Sequence, residues 1–462
     1  MNSTRNPYPD ISPIMSFFSH YLRTSLVKRV MIGLLVGAAV GAGLWYASAA
    51  FGIKEQVQQV MRVFSPFGTV FISLLKMIVV PTVFFSLVRG ASSLPLRKLG
   101  RAGGKIVGWY FASMCVSSLL GMGLALWINP GAGASLAGWQ ELAQHFGSQA
   151  QAIVHADGAK SLAEILENLL LDFFQNPFRA LADGNFLGII GFAILFGISI
   201  RLVIETTEDV TIHAAMQSLI VLCDACMLAV NRIIGMVMDY SPIGVFFLSA
   251  SIFSVYGPAI IGPYITVLLG VASGILLLIF VVYPAVLALL LRQNPYRILG
   301  AVKDAMVLAF VTRSSAATLP VSIRVSEERL GVNRELASFA LPLGATVNMD
   351  GVCIHLPMFA ILAANMFGIT LHFSDLALIM VTTVLAAVGA GGVPGGSLML
   401  LFIILGTLGL APTQIAVIVA LAVGINPVLD MFETMGNVTG DLLCTYTVAA
   451  REGLTDGRGQ RG

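Results

Sequence analysis

Long apolar blocks dominate the chain and leave only short polar stretches between them. Apolar runs occupy residues 30–51, 64–90, 104–129, 183–205, 213–254 and 259–291. Each can cross a bilayer core of about 30 Å, which takes about 20 helical residues. The fifth run is interrupted at Ser241-Pro242-Ile243-Gly244, which predicts a kink or partial break. After residue 295 polar and glycine clusters cut the apolar segments: Thr312-Arg313-Ser314-Ser315, Asn348-Met349-Asp350-Gly351 and Gly389 through Gly396. Lipid cannot satisfy the backbone groups such breaks free, so they must lie inside protein or beside a watery cavity. Paired broken spans point to a mid-membrane binding site.

This pattern divides the chain into an N-terminal segment 1–27, spans over 28–129, a moderately polar loop 130–182, spans over 183–294, an interrupted core 295–450 and a tail 451–462. The first 27 residues lack an apolar core followed by a small-residue cleavage site, so the first span is expected to be retained as a helix. Lys and Arg gather before the first span (Arg23, Lys28, Arg29), between spans two and three (Arg89, Arg97, Lys98, Arg101, Lys105), after span six (Arg292, Arg297, Lys303) and at the C-terminus (Arg451, Arg458, Arg461). All fall on one side if both termini are cytoplasmic, with 130–182 outside.

Composition agrees with the pattern. Of 462 residues 57% are hydrophobic and 11% charged, whereas a soluble domain carries about 25% charged residues. The formal net charge of +2 makes no electrostatic case for nucleic acid. Cys115, Cys223, Cys226, Cys353 and Cys444 all lie in or beside apolar runs. Cys223 and Cys226 form a C-x-x-C without a second Cys or His pair, which reads as packing thiols rather than a metal or redox centre.

The last span holds the densest polar set. Asn426, Glu433, Thr434, Asn437 and Asp441 stand at −4, +3, +4, +7 and +11 from Asp430, on one helical face, while Leu429, Met431, Val438 and Leu442 take the others. Three membrane carboxylates cost about 2.5–3.5 kcal/mol each even on the low scale, so a cation must compensate. Sodium ions, a substrate ammonium and Arg313 are the candidates. The bland alternative puts this face in water beyond the membrane, although residues 443–450 continue apolar.

Thr346, Asn348 and Asp350 supply the hydroxyl, amide and carboxylate oxygens that a hard cation wants. A turn at a helix end is the bland alternative for the same N-M-D-G. Ser314-Ser315 and the 389–396 cluster read as the tips of two re-entrant hairpins, where hydroxyls and free N–H groups can hold a carboxylate. An ordinary loop is the alternative. His355 reads as a packed, hydrogen-bonded histidine rather than a proton carrier. No nucleophile–base pair or metal motif suggests an enzyme.

The clusters, in this order and spacing, resemble the dicarboxylate/amino acid:cation symporter family over residues 28–450. The most specific stretches are Thr312 through Pro320, Pro342 through Gly351, Gly392 through Gly396 and Asp430 through Asp441. The resemblance implies an all-α membrane protein of eight transmembrane helices plus two re-entrant hairpins, near 295–328 and 373–411. The seventh helix would lie near 334–368 and the eighth near 414–450. It also implies a homotrimer in the cell (inner) membrane and an elevator movement, spans three and six travelling with both hairpins and helices seven and eight. Co-transported sodium ions would be needed, and no organic cofactor.

By the same resemblance Asp430 would hold a substrate α-ammonium. Asn437, Ser315 and the backbone at Val393 would meet its α-carboxylate, and Thr434 would add a hydroxyl. Arg313, Ser314, Val352, Gly396 and Glu433 would complete the substrate site. Sodium ligands would be Asp441, Asn348 and the backbone of Gly344 and Asn437; Thr346 and Met349; and Asp350, Asn348, Tyr110 and Ser113. This chain departs from acidic-substrate members at Glu433, where they have arginine, and at Val352, where they have threonine. A glutamate there looks like the bacterial serine/threonine symporters. Asn426 replaces a common aspartate and Met114 a serine. Leu356 stands where potassium-coupled animal members carry a proton-binding glutamate. The expected function is sodium-coupled import of a small neutral amino acid such as serine, threonine or alanine. Sodium- or proton-coupled symport of acidic amino acids or dicarboxylates, and a substrate-gated channel, are the alternatives.

Overall fold

The computed structural model describes residues 25–92, 100–132, 167, 170, 171, 173–183, 185–390, 392 and 395–456. The first 24 residues, Arg97 and Lys98, most of the expected outside loop, Val393, Arg458 and Arg461 therefore lie outside the described residues.

The described residues are almost entirely helical. In chain order the helices are α1 (Leu26–Phe51), α2 (Lys54–Ser92), α3 (Gly100–Ile128), α4 (Pro177–Asp183), α5 (Phe186–Thr206) and α6 (Val210–Tyr256). A 3-10 turn, Gly257–Ile260, leads to α7 (Ile261–Leu277), which passes through a π turn at Leu278–Val282 into α8 (Tyr283–Leu291). Then come α9 (Pro295–Thr312), α10 (Ser315–Glu328), α11 (Arg334–Val347), α12 (Asp350–Phe367), α13 (Phe373–Ala387), α14 (Gly396–Thr407) and α15 (Pro412–Arg451).

The stretch Val210–Leu291 runs 82 residues almost without interruption. As one rod it would be about 120 Å long, several bilayer cores, so it passes more than once. Gly257, at φ 59°, separates the two parts, and Trp45 of α1 presses on the face where a Cβ would stand. Of the kink or partial break expected at Ser241–Gly244, the break is not found: α6 continues helical across Pro242. Ser241 Oγ bonds the Met238 carbonyl at 2.6 Å, and Gly244 fits beneath the Phe71 ring. Packing thus holds the helix through the missing N–H. The first helices also extend beyond their apolar runs, because the polar turn Lys54–Arg62 continues the helical register of α2.

Small residues set the closest contacts. Gly33, Gly37 and Gly41 form a stripe on α1 that lies against the α6 carbonyls of Pro242, Phe246 and Ala250, with no room for a Cβ. Gly121 of α3 does the same against Ile354 of α12. Burial separates two kinds of helix. Only 22% of the apolar window of α1 is buried, against 100% for the α11–α12 window. The less buried helices turn Ile32, Leu35, Val63, Trp127 and Leu269 outward, toward the place of lipid. The interrupted segments make the centre.

Two pairs of short helices explain the hairpin expectation. α9 and α10 have 18 and 14 residues; α13 and α14 have 15 and 12. Each is shorter than the about 20 residues of a full crossing, and each pair reverses at a polar or glycine tip. Pro295 and Asn294 start α9, the Asn side chain capping Tyr296 N–H at 3.1 Å. Arg313, left-handed at φ 54°, ends it. The C-terminal strand-like residues fold back on the core: Asn333 N–H donates to Leu454 O at 2.9 Å, Val332 and Thr455 form a single bridge, and Lys105 pairs with Glu452.

Candidate functional site

Three breaks converge on α15. Between α11 and α12 the backbone leaves helical geometry at Asn348 and Met349, and both side chains are buried. Ser314 Oγ of the first tip donates to Gly392 O of the second at 3.2 Å. Gly392, at φ 62°, sits so close to the Ala345 carbonyl of α11 that no Cβ fits. Both tips and the α11–α12 break therefore face one helix, α15, whose carboxylates point between them.

A small, partly open cavity lies there. Ser315, Val352, Gly392, Asp430, Glu433, Thr434 and Asn437 line it, with Met349, Ala390, Gly396 and Ser397. Asp430 Oδ2 accepts from Gly395 N–H at 3.1 Å. Thr434 Oγ1 donates to the Asp430 carbonyl one turn back. Asn437 Oδ1 takes the Gly351 N–H at 2.7 Å and its Nδ2 touches Met349 Sδ at 3.3 Å. Ser397 Oγ reaches Asn426 Oδ1 at 3.5 Å, joining the second hairpin to α15. Of the expected substrate residues the structure gathers Ser315, Val352, Gly396, Asp430, Glu433, Thr434 and Asn437 around one cavity. Ser314 bridges the tips beside it, and Val393 is outside the described residues.

Arg313 is not the partner of Glu433. Among the described residues no ion pair joins them; Glu433 Oε1 instead meets His355 Nδ1 at 2.5 Å, and both residues are buried. The apolar run around His355 predicts a packed, hydrogen-bonded histidine, and nothing in chain order connects it with Glu433, 78 residues away. Their meeting depends on α12 crossing α15 where Gly351 lies against the Glu433 backbone without room for a Cβ.

A second polar group lies deeper. Asn348 Nδ2 donates to Asp441 Oδ1 at 3.0 Å and to Asp350 Oδ2 at 3.3 Å, so one amide bridges two buried carboxylates. Ser113 Oγ donates to Asn348 Oδ1 at 3.1 Å. Gly344 faces both Asp441 Oδ1 and the Tyr110 hydroxyl with no room for a Cβ, while Tyr110 donates to Ala340 O. Two residues absent from the sequence reading complete the shell. Tyr283 Oη donates to Asp350 Oδ2 at 2.5 Å, and Ser117 Oγ to Asp350 Oδ1 at 3.4 Å. A lone tyrosine in an apolar run carries no signal of this role; the one-turn spacing of Ser117 from Ser113 is the only trace. Thr346 is less committed: its hydroxyl bonds the Leu343 carbonyl of its own helix at 2.9 Å.

All the partners of Asp350 and Asp441 described above are neutral. Two buried anions with neutral donors alone are costly, and a bound cation is the direct remedy. Carboxylates, amides, hydroxyls and a broken helix form an oxygen-rich donor set that suits a hard monovalent or divalent cation.

The profile of the Sodium:dicarboxylate symporter family matches residues 26–451. The serine/threonine transporter SstT of Acinetobacter baumannii (strain AYE) is 32% identical over 447 residues, covering 95% of this chain and 99% of that protein. The serine/threonine transporter SstT of Streptococcus agalactiae serotype III (strain NEM316) is 29% identical over 435 residues, 93% and 96% of the two chains.

Proposed function

Since this chain belongs to the sodium:dicarboxylate symporter family, a family of membrane transporters and not of enzymes, we propose that it imports a small neutral amino acid, such as serine, threonine or alanine, with sodium ions. The observation that carries the substrate reading is the cavity wall formed by Glu433 and Val352. An acidic side chain would meet an anion and a methyl group there. Two unit charges about 4 Å apart repel by about 4 kcal/mol at an effective dielectric of 20, roughly a thousandfold in affinity. A hydroxyl can instead donate to the Glu433 carboxylate. The names of the two relatives point the same way.

In this reading Asp430 receives the α-ammonium. Ser315, Asn437 and the hairpin tips, Val393 included, receive the α-carboxylate. Sodium ions occupy the carboxylate group of Asp350 and Asp441 with Asn348, Tyr110, Ser113 and the Gly344 backbone, and a further position near Thr346 and Met349. Their charge offsets the buried anions, which couples the ion to the substrate: each neutralises part of what the other needs.

The elevator reading is supported by how the helices pack. α3 and α7 lie against α12 and α15, while α1, α2 and α5 lie against α6. A unit built from α3, α7, α8 and the interrupted helices could then slide against the outer set, as a trimeric family member would. The Lys105–Glu452 pair brings the start of α3 and the end of α15 to one face, which the basic residues assign to the cytoplasm.

The test is uptake of labelled serine, threonine, alanine, aspartate and glutamate into proteoliposomes. An inward sodium gradient should concentrate the neutral amino acids above equilibrium and leave the acidic ones outside. Equilibration without accumulation would indicate a channel instead, and preferential aspartate accumulation would overturn the neutral-substrate reading.

A further inference from the structure

His355 is not among the residues that line the cavity, yet it holds one that does. Its ring is wholly buried in α12 and stacks on Phe359, one turn on, with centroids 4.6 Å apart and planes inclined by 25°. Its Nδ1 meets Glu433 Oε1 at 2.5 Å. Its Nε2 is buried without a hydrogen-bond partner among the described residues. The ring thus has one polar anchor, and rotating it would break the only hydrogen bond it makes among the described residues.

Glu433 has two carboxylate oxygens, and the bond to His355 commits Oε1. Against a carboxylate acceptor, Nδ1 carries the hydrogen. Among the described residues Oε2 has no protein partner, and Glu433 lines the cavity. A glutamate side chain has three rotatable bonds and would otherwise spread over several rotamers. Fixing one oxygen from behind fixes where the other stands.

We propose that His355 is a positioning residue for substrate selection: by gripping Glu433 Oε1 against the Phe359 ring, it aims the second carboxylate oxygen into the cavity as the acceptor for the substrate's side-chain hydroxyl. The inference rests on the neutral amino acid reading above and assigns its discriminating step. Serine and threonine donate to the held oxygen; alanine cannot. The preference for a hydroxyl over a methyl group therefore depends on the Nδ1–H donor, which never touches the substrate. A site built to hydrogen-bond a hydroxyl loses its advantage when the acceptor is no longer fixed.

The experiment separates the donor from the ring. His355→Asn places an amide N–H near the position of Nδ1 but removes the stack on Phe359. His355→Phe keeps the stack and removes the donor. Sodium-driven uptake of serine and alanine is measured for each variant in proteoliposomes, and the ratio of their apparent KM values is compared with that of the unaltered protein. His355→Phe should shrink the serine preference at least tenfold, through KM more than through maximal rate, and His355→Asn should keep it within about threefold. In a Glu433→Gln background, His355→Phe should change the ratio no further, because the group it positions is gone. An unchanged ratio in His355→Phe, or an equal loss in both variants, overturns the positioning role. If His355→Phe yields no folded transporter, His355→Leu, which also lacks the donor, takes its place: its serine preference should shrink likewise, and an unchanged ratio there overturns the positioning role. Failure of the unaltered protein to accumulate serine or alanine would strike the substrate reading itself, a different result from a shifted ratio.

Discussion

Asn348 reaches Asp441 across 3.0 Å, tying the break between α11 and α12 to the last helix. The same amide bonds Asp350, so two buried carboxylates share one neutral donor. This arrangement leaves a place for positive charge and explains why the break exists: an unbroken helix at Asn348 would not present its side chain and freed backbone groups to α15 together.

Removing either anion should therefore weaken sodium dependence. Asp350→Asn and Asp441→Asn each replace a charged oxygen ligand by an amide. Uptake in each should fall at least tenfold at limiting sodium, with the half-saturating sodium concentration raised. Wild-type uptake across a sodium titration in both variants would remove them from the ion site.

Asp430 should matter to the amino acid more than to the ion. It is buried and lines the cavity, and breaking a buried charge pair on one side costs about 3–5 kcal/mol. Asp430→Ala should lose measurable substrate binding by titration calorimetry while retaining sodium binding. Normal substrate affinity in that variant would refute its role as ammonium partner.

The Glu433–Val352 wall should be convertible. Glu433→Arg with Val352→Thr supplies a planar cation and a hydroxyl, which can grip a carboxylate in two places. Aspartate or glutamate uptake should rise and serine uptake fall. Glu433→Gln alone should relax the exclusion of acidic substrates without giving strong affinity for them. The five-substrate uptake panel reads both outcomes.

Tyr283 should stabilise the protein most when sodium is absent. Its hydroxyl serves the buried Asp350 carboxylate, and a hydrogen bond to a charged group is worth about 1.5–3 kcal/mol. Tyr283→Phe should melt at a lower temperature in choline chloride, and the gap should narrow in saturating sodium, where a bound ion supports Asp350. An equal gap in both salts would assign Tyr283 to packing alone.

The glycine stripe on α1 should resist enlargement. Gly37→Leu must push α1 off the Phe246 carbonyl of α6, at a cost of at least about 1–3 kcal/mol. Gly43, on the same helix, has open space around it. The yield of monodisperse protein after detergent extraction should fall sharply for Gly37→Leu and stay near normal for Gly43→Leu.

Much of this protein was legible in its residues. Hydrophobic run lengths announced the crossings, because a bilayer imposes a thickness that helices must match. The Asp430-to-Asp441 face was readable from the 3.6-residue period, and the breaks at Arg313–Ser314, Asn348–Met349 and Gly389–Gly396 from polar or glycine residues inside apolar segments. Local rules suffice there, since each depends on neighbours in the chain. Helix continuity through Pro242 was not legible, because it depends on how Gly244 packs beneath Phe71. Nor were the partners of the charges. Glu433 chose His355, 78 residues away, over Arg313, and Asp350 took Tyr283, 67 residues away. The sequence by itself determined which polar face of the last helix turns inward and where the polar and glycine clusters after residue 295 break their spans; only the tertiary structure decided whether Pro242 interrupts its helix and which polar groups meet, because packing and buried hydrogen bonds are set by distance and angle in space, and those follow from how whole helices cross.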